Sequence, residues 1–503
     1  MNRFFRRAAA ALLSLAFCGF SVASTTFAKE PYDVYNYNRR GEPVPSQAGY
    51  TAERAVSGYD LDVGAFNMPS DIFCAFDGNF YITDTGNNRI VAVDGEFSKA
   101  VEVYESFTMP DGTKTALKKP SGVFISMENQ LMYIADTENS RVLVSDLSGC
   151  VKMEITKPDS EIYGSQRTFN PQRVIADKAG NVYVVLNNIT TGAAMFSPKG
   201  EFMGFYGANR VQPTAEIIGD YVSGIFMSEE KRARRTRNVP TGITSFDIEG
   251  DFIYTCTSSE TQTADTIKKL NSAGKNIFAY NENVFGDFFP MYDTSQNKVL
   301  ESSIVDIDIA EDGNINCLDL TMGRIFQYDE DCNLLFIVGT NASQVGGFRQ
   351  AAALESCGDR LYVTDTMKNT VTIFKETDFG KIVHKATALH NDGFYEEALN
   401  PWLEVLKYDG TYNRAYLGIA AAKLRSGEYK SAMKYAKLAD AGKIYDKAFE
   451  GYRMELLKNN FEPLLLAVIF GTIAIAGSLK IRRDKKAALA AEKKKEKSEE
   501  KEE

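Results

Sequence analysis

The sequence predicts a mainly β protein, a six-bladed β-propeller followed by a small helical region and one transmembrane helix. Three stretches of the N-terminal half are versions of one another, and their prolines Pro69, Pro120 and Pro171 lie 51 residues apart each time. Each stretch contains several short apolar runs separated by Gly, Asp and Asn turns. A repeat of about 50 residues built from short strands is typical of a propeller blade and not of a helical solenoid.

Three looser copies begin near residues 239, 304 and 350, which brings the count to six. In a well-preserved copy a tyrosine-containing strand ends in Asp-Thr, and an arginine follows five positions after the aspartate. The pairs that fit this pattern best are Asp84 with Arg89, Asp136 with Arg141, and Asp319 with Arg324. We interpret the aspartate as a cap of the hairpin turn and the arginine as its partner, which is a structural role.

With these residues the chain resembles the NHL-repeat propellers over about residues 50–376. It is similar in build to bacterial surface proteins of this kind, some of which look like accessories to solute transport systems. Copies one, two and six carry the resemblance strongly, and copies three, four and five carry it weakly.

The way in which the ring closes is also predictable. Copy six passes directly into helical sequence without an outer strand of its own, whereas residues 54–58 resemble residues 335–339 of the preceding copy. We therefore expect the first strand of the chain to complete the last blade, which removes the exposed edges of the ring.

The two ends of the chain predict export and anchoring. Residues 1–28 have the three parts of a secretory signal, with Arg3, Arg6 and Arg7 before an apolar run and small residues up to Ala28. Residues 29–49 are a linker. The predicted transmembrane helix is 463–481. Its residues 463–479 are uncharged, and a basic cluster begins at Lys480, so the positive-inside rule places the tail 482–503 in the cytoplasm. The expected location is the cell membrane, single-pass, with the N-terminus outside; a buried core helix is the alternative for 463–481.

Between propeller and membrane, residues 377–460 form a second repeat. Three residues recur at an offset of 34, which is the tetratricopeptide period: Gly393, Tyr395 and Ala398 return as Gly427, Tyr429 and Ala432. Segments of this kind often hold a peptide partner, and a rigid stalk explains the pattern equally well.

Charge bears on the choice of partner. The net charge is −10, and since residues 1–28 and 480–503 each carry +3, the part predicted to lie outside is near −16. Such a surface lacks the basic footprint of a nucleic-acid-binding protein. One basic run is an exception and could contact anionic lipid, wall polymer or an acidic partner, or be a solvated helix: Lys231, Arg232, Arg234, Arg235 and Arg237.

Seven cysteines are present, and removal of Cys18 with the signal leaves six. An even number in an exported chain permits disulfides. The six are scattered and mostly lie in apolar strand runs, so we expect free thiols; no two have the spacing of a zinc site.

The candidate ligand-binding residues are those at the start of the innermost strands, where six chains converge on the channel. The position after the proline pair is Asp71, Gly122, Arg173, Gly242, Asp306 and, in copy six, Ala352. Asp71, Arg173 and Asp306 are therefore the predicted ligand-binding ring. Two carboxylates with an arginine between them do not supply the oxygens of a divalent-metal site, so we expect no metal and no cofactor there.

Two functions from different classes fit these observations. The only histidines, His384 and His390, fall in the helical region, and no catalytic residue is assigned in the propeller. We therefore favour a binding or scaffold module for a protein or glycan partner at the propeller face over an enzyme. The alternative is a propeller hydrolase or lyase acting on a sugar lactone or a similar small ligand at Asp71, Arg173 and Asp306.

Overall fold

The computed structural model describes residues 32–38, 40–209, 241–259, 265–278, 285–289, 291–293 and 297–499. The fold is the predicted six-bladed β-propeller followed by C-terminal helices. Two compact units are present: one consists of the described residues of 1–393 and 401–414, and the other of residues 394–400 and the described residues of 415–503. The signal segment 1–28 and the basic run 231–237 lie outside the described residues.

Before the ring, strands β1 (Tyr35–Tyr37) and β2 (Pro43–Pro45) form a hairpin, and β3 (Tyr50–Ser57) follows. Blade 1 contains β4 (Pro69–Cys74), β5 (Phe80–Asp84), β6 (Arg89–Val93) and β7 (Ala100–Tyr104), and a hairpin of β8 (Ser106–Thr108) and β9 (Lys114–Ala116) leads to the next blade. Blade 2 contains β10 (Pro120–Ile125), β11 (Leu131–Asp136), β12 (Arg141–Asp146) and β13 (Val151–Ile155). Blade 3 contains β14 (Pro171–Ala176), β15 (Val182–Leu186), β16 (Ala193–Phe196) and β17 (Phe202–Tyr206).

In the described residues, blade 4 has three strands, β18 (Ser245–Glu249), β19 (Phe252–Cys256) and β20 (Ile267–Leu270), and the hairpin β21 (Met291–Asp293) and β22 (Lys298–Leu300) follows. Blade 5 contains β23 (Ile304–Ile309), β24 (Ile315–Asp319), β25 (Arg324–Tyr328) and β26 (Leu334–Val338), and the short β27 (Thr340–Asn341) and β28 (Gly347–Phe348) pair in parallel after it. Blade 6 contains β29 (Ala351–Cys357), β30 (Arg360–Asp365), β31 (Thr370–Glu376) and the N-terminal strand β3.

This last pairing confirms the predicted closure. Strand β3 runs antiparallel to β31 over its whole length, from Tyr50 opposite Glu376 to Ser57 opposite Thr370. The outer strand of the last blade is thus supplied by the start of the chain. The edge of β31, which would otherwise expose unpaired backbone groups, is covered.

The repeated aspartate fixes the backbone that enters each well-preserved blade. In blade 1, Asp84 Oδ1 accepts a hydrogen bond from the Asn67 N–H (2.7 Å), and its Oδ2 accepts one from Arg89 Nε (2.7 Å). The pair Asp136 and Arg141 has the same geometry at 2.8 Å in blade 2. Both aspartates are fully buried. The arginine is thus confirmed as the partner of the aspartate in blades 1 and 2. The aspartate caps the backbone that enters the blade, at Asn67 and Lys118, and not the hairpin turn that follows it.

Blade 5 departs from the expected pairing. Arg324 donates to the Asp287 carboxylate and to the Tyr35 hydroxyl (2.7 Å) instead of to Asp319. Asp319 still accepts the N–H of Ser303 at 2.9 Å. Two elements that copies one and two lack cause the difference. The N-terminal hairpin supplies the Tyr35 hydroxyl, and the segment 285–289 supplies the Asp287 carboxylate.

The hydrophobic core lies between adjacent blades. Phe73 and Phe124 join blades 1 and 2 with their ring centroids 5.0 Å apart, and Phe80 and Tyr362 join blades 1 and 6 at 4.2 Å. Aromatic pairs at these distances add to the free energy of simple area burial. Each blade is thus stabilised mainly by its two neighbours, so the ring depends on being complete.

The helices are α1 (Asp378–Asn391), α2 (Tyr395–Tyr408), α3 (Asn413–Arg425), α4 (Tyr429–Leu438), α5 (Gly442–Asn459) and α6 (Phe461–Glu499). Gly393 and Gly427 occupy the turns between α1 and α2 and between α3 and α4, and both have the positive φ that favours glycine (82° and 76°). The tetratricopeptide assignment itself stays a prediction. In the described part of the chain, one helix, α6, is long and apolar enough to cross a membrane. It continues beyond residue 481 to 499 because Ala, Lys and Glu are strong helix formers.

Helix α1 is tied to the propeller by a buried polar chain. The His384 ring contacts Glu376 Oε1 through Nδ1 and Gln327 Oε1 through Nε2, the latter at 2.7 Å. Gln327 donates to Asn316 (2.9 Å), and Asn316 donates to Asp308 Oδ2 (2.7 Å). The side-chain hydrogen bonds therefore run from the helix to the central channel without a break.

The closure generates a prediction about cooperativity. A chain that begins at residue 59 lacks β3, and we expect its thermal midpoint to fall by more than about 5 °C in one transition, because both neighbours of the last blade lose packing. Calorimetry measures this. A chain that begins at residue 47 keeps β3 and loses only the hairpin, so it serves as the control. A shortened chain whose last blade frays separately, with the main transition unmoved, would contradict the closure argument.

Candidate ligand-binding cavity and central channel

The innermost strand of each blade begins at one face of the ring, which we term the upper face. A β-bulge follows the first residue of this strand in blades 1, 2, 3, 5 and 6, and it sets which side chain points into the channel. The bulges place Asp71, Gly122, Arg173 and Asp306 at equivalent positions, as the repeat predicted.

Two ring positions were predicted wrongly. In blade 6 the bulge lies between Ala351 and Ala353, so the equivalent residue is Ala353 and not Ala352. In blade 4 the residue opposite Cys256 is Ser245, which replaces the expected Gly242. Both errors arise from aligning the copies by their first residues, whereas the second strand determines the register.

Arg173 crosses the channel and binds the backbone of the other side. Its Nη1 donates to the Ser121 carbonyl (2.6 Å), and its Nη2 donates to the carbonyls of Ser70 (3.0 Å) and Ala352 (3.2 Å). Its Nε lies 3.6 Å from Asp71 Oδ1. One side chain of blade 3 therefore connects blades 1, 2 and 6 and forms a floor across the channel.

The two predicted carboxylates cap backbone groups of neighbouring blades. Asp71 Oδ2 accepts the Val123 N–H at 2.8 Å, and Asp306 Oδ2 accepts the Leu354 N–H at 2.7 Å. In both cases the donor is the residue after the ring position of the next blade. The structure thus brings Asp71, Arg173 and Asp306 together, with their main hydrogen bonds directed to the protein itself. Their role as ligand contacts stays a prediction.

A second layer of acids, two residues further along the inner strands, was not predicted. Asp247 accepts the Ile309 N–H (2.7 Å), Asp308 accepts the Ser356 N–H (3.0 Å), and Glu355 accepts the Cys74 N–H (2.8 Å). The sequence carried one signal, since Asp306 and Asp308 alternate with isoleucine in a buried strand. The three acids follow the same rule as the first layer and link blades 4 to 5, 5 to 6 and 6 to 1.

Burial changes the proton affinity of these groups. It raises the pKa of Asp71 to about 7, although the Arg173 guanidinium opposes the shift, and it raises the pKa of Asp308 to about 6. Burial and the neighbouring Asp308 charge raise the pKa of Asp247 and Glu355 well above their ordinary range. The folded channel therefore holds protons near neutral pH that the unfolded chain has lost.

A cavity of about 560 Å³ opens at the upper face above Arg173. The described residues that line it are neutral apart from Arg173, and its polar lining consists of amides and hydroxyls contributed by blades 3 to 6: Gln172, Asn187, Asn188, Thr190, Thr244, Gln350 and Thr366. Val185, Ile189, Ile243 and Leu320 add apolar surface. Below the arginine a second space of about 40 Å³ lies among the channel carboxylates, which is room for about two waters.

The position of the cavity follows from where the repeat is well preserved. In blade 1, Thr85 Oγ1 donates to the Pro120 carbonyl of the next blade (2.7 Å), and Thr137 in blade 2 does the same to Pro171 (2.7 Å). The threonine of the Asp-Thr motif therefore seals the seams between blades 1, 2 and 3. In blade 5 that position is Leu320, which lines the cavity. The cavity lies over blades 3 to 6, which include the three degraded copies and the better-preserved copy six.

Metal-binding groups were not predicted in the propeller. Within the described residues, no group of three or more His, Cys, Asp or Glu has a geometry that could hold a metal ion. The channel carboxylates are separated by Arg173 and directed at backbone N–H groups. The surface-contact candidates Lys231, Arg232, Arg234, Arg235 and Arg237 lie outside the described residues, so their role stays a prediction.

Comparison with known proteins supports no family assignment: neither protein-family profiles nor curated proteins gave a match. Solved structures are similar at 10–12% identity. A virginiamycin B lyase from Staphylococcus aureus has a TM-score of 0.36 at 10% identity, covering 64% of this chain and 99% of that one. A gluconolactonase from Xanthomonas campestris has 0.38 at 11%, covering 64% and 90%. Hydrazine synthase of Kuenenia stuttgartiensis has 0.36 at 12%, covering 62% and 96%. At these scores the similarity carries no argument about function.

The buried acids generate a prediction about pH. Because the folded pKa values of Asp71 and Asp308 lie above the unfolded value of about 3.9, their stabilising contribution is present at low pH and is lost as pH rises through about 6 to 7. Glu355→Gln keeps the acceptor for the Cys74 N–H and removes one of the repelling charges. We expect its thermal midpoint to exceed that of the wild type by more at pH 8 than at pH 5.

Thermal unfolding at the two pH values measures the effect, with Glu161→Gln as the control, since Glu161 is exposed and lies outside the channel. A wild-type thermal midpoint that rises between pH 5 and pH 8, together with an unchanged midpoint in the Glu355 variant, would contradict the prediction. It would show that ionisation of the channel acids does not destabilise the fold.

Proposed function

We propose that this chain is a membrane-anchored, extracytoplasmic binding module whose propeller holds a neutral polar ligand, a glycan, in the cavity at its upper face. The observation that carries the proposal is the lining of that cavity. Amides and hydroxyls from four blades converge on one space of about 560 Å³. A volume of this size lies in the range of natural small-ligand sites, which have apolar walls and a few placed polar groups.

The chemistry of the lining favours a ligand with hydroxyl groups. Asparagine, glutamine and threonine side chains each donate and accept, and so do the hydroxyls of a sugar. Asn187 and Gln350 are exposed at the rim. Arg173 is the single charged side chain among the described lining residues, and its guanidinium is held by three backbone carbonyls. The site therefore suits an uncharged or zwitterionic ligand better than an anion.

These features support binding over the alternative, a hydrolase or lyase acting on a sugar lactone. A proton-transfer enzyme needs a titratable group within reach of the substrate. In the described part of the cavity, the carboxylates closest to it, Asp71 and Asp306, lie in the ring with Arg173 and cap backbone N–H groups. A binding module at this face could equally take a protein partner. It could also serve as an accessory to a solute transport system.

The membrane part of the proposal depends on α6 and on the signal segment. The apolar residues of α6 are exposed to solvent along their length, among them Leu464, Val468, Phe470 and Ile475 at 47–66% of their full area. Exposed apolar surface of this extent is stable when lipid covers it. The basic residues from Lys480 onward would then lie on the cytoplasmic side.

Ligand binding is tested on the full chain in detergent with a panel of immobilised neutral oligosaccharides. We expect at least one to bind, and the double variant Asn187→Ala with Gln350→Ala to weaken that binding about tenfold or more, since both side chains donate and accept at the rim. Gln166→Ala is the matched control, because Gln166 is an exposed amide outside the cavity. Equal binding by the double variant and the wild type would place the ligand elsewhere.

Topology is tested separately in spheroplasts with a tag after Glu503. External protease should digest the propeller and leave the tag intact, because the proposed orientation protects only the C-terminal segment. Detergent lysis before protease treatment is the control that shows the tag to be cleavable. Loss of the tag from intact spheroplasts would reverse the orientation.

A further inference from the structure

Two cysteines lie where the ring closes. Cys74 is the last residue of β4, the innermost strand of blade 1, and Cys357 is the last residue of β29, the innermost strand of blade 6. In the described residues, none of the six cysteines is in a disulfide. Cys256 and Cys317 are completely buried, whereas Cys74 and Cys357 are partly exposed. This pair is therefore accessible to a reagent at the seam between the first and the last blade.

The backbone around the pair is fixed from both sides. The Glu355 carboxylate of blade 6 accepts the Cys74 N–H of blade 1 at 2.8 Å. Because Glu355 and Cys357 are two residues apart on one strand, their side chains point to the same side. Both thiols also pack against one hydrophobic cluster that contains Phe80 of blade 1 and Tyr362 of blade 6.

The two thiols lie close enough for each to be the largest influence on the pKa of the other. A disulfide requires Cβ atoms about 3.5–4.5 Å apart and side chains that converge. The hydrogen bond from the Cys74 N–H to Glu355 holds the two strand ends together, which favours that approach. The Cys74 thiol and the nearby Arg360 lower the pKa of Cys357. Cys357 therefore reaches the thiolate form, which is the attacking species, more readily than an ordinary cysteine does.

We propose that Cys74 and Cys357 form a disulfide that joins the first and last inner strands of the propeller. The oxidant is a disulfide compound of the surroundings, either glutathione disulfide or the disulfide of a thiol oxidoreductase. The Cys357 thiolate attacks one sulfur of the oxidant, which gives a mixed disulfide and releases one thiol. Cys74 loses its proton and attacks the Cys357 sulfur, which releases the second thiol.

In balance, two protein thiols lose two electrons and two protons, and the oxidant is reduced to two thiols. The bridge gives the ring a covalent seam on its inner side, while β3 closes it by hydrogen bonds on the outer side. It encloses nearly the whole propeller in one loop, and cross-links that close long loops restrict the unfolded chain most. Export of this part of the chain would place the pair in an oxidising compartment.

The test uses the purified full chain in detergent, fully reduced and then equilibrated with glutathione disulfide. Free thiols are alkylated, the chain is digested without reduction, and linked peptides are identified by mass spectrometry. We expect one linked peptide pair that contains Cys74 and Cys357, and a thermal midpoint at least about 4 °C higher that returns to its first value with dithiothreitol.

Cys150→Ser is the matched control, because Cys150 is a partly exposed cysteine at a hairpin in blade 2, and it should show the same gain. Cys74→Ser and Cys357→Ser should fold, as judged by circular dichroism, and lose the gain. Should one serine variant fail to fold, the linked peptide in wild-type protein decides by itself. Recovery of Cys74 and Cys357 as separately alkylated or glutathionylated residues would overturn the proposal, and so would a link to any other cysteine.

Discussion

The structure depends on carboxylates that satisfy the free edge of each inner strand. An innermost strand pairs with its own blade on one side only, and the strands diverge around the channel too far to pair with one another. Their N–H groups would be buried without partners, which costs about 1–3 kcal/mol each. Asp71, Asp247, Asp306, Asp308 and Glu355 each reach across a seam and accept one N–H of the next blade. The ring is held together at its centre by hydrogen bonds from backbone N–H groups to carboxyl oxygens rather than by strand pairing.

The acids are distributed unevenly around the ring, and their distribution is related to the position of the cavity. In the second layer, blades 1 to 3 place Phe73, Phe124 and Ile175 where blades 4 to 6 place acids. Blades 1 to 3 are joined instead at the upper face, by Thr85 and Thr137. The half of the ring with acids at its centre therefore has no threonine seal above it, and the cavity opens there. The asymmetry of the site is a consequence of two different ways of closing a seam.

Much of this could be predicted from the sequence, and the failures have one cause. The number of blades, the closing strand and the structural role of Asp84 with Arg89 follow from spacing and from turn chemistry, which are local. Gly242 and Ala352 were assigned wrongly because the pairing with the second strand, and not the first residue of the copy, sets the register. The partner of Arg324 was assigned wrongly because Asp287, which is distant in sequence, supplies the carboxylate. The second-layer acids and the neutral cavity depend on contacts between blades, which no single copy of the repeat contains.

Arg173 illustrates why such contacts decide what a site can do. In sequence it is a lone cation among carboxylates, and it was predicted to contact a ligand together with Asp71 and Asp306. In the structure its guanidinium donates hydrogen bonds to the carbonyls of Ser70, Ser121 and Ala352, and Asp71 lies next to its charge. A group held in this way cannot turn toward a ligand without breaking bonds to three blades. It therefore acts as a rigid floor of the cavity. Ligand specificity is then determined by the amides and hydroxyls of the rim, where a change of one side chain leaves the ring intact.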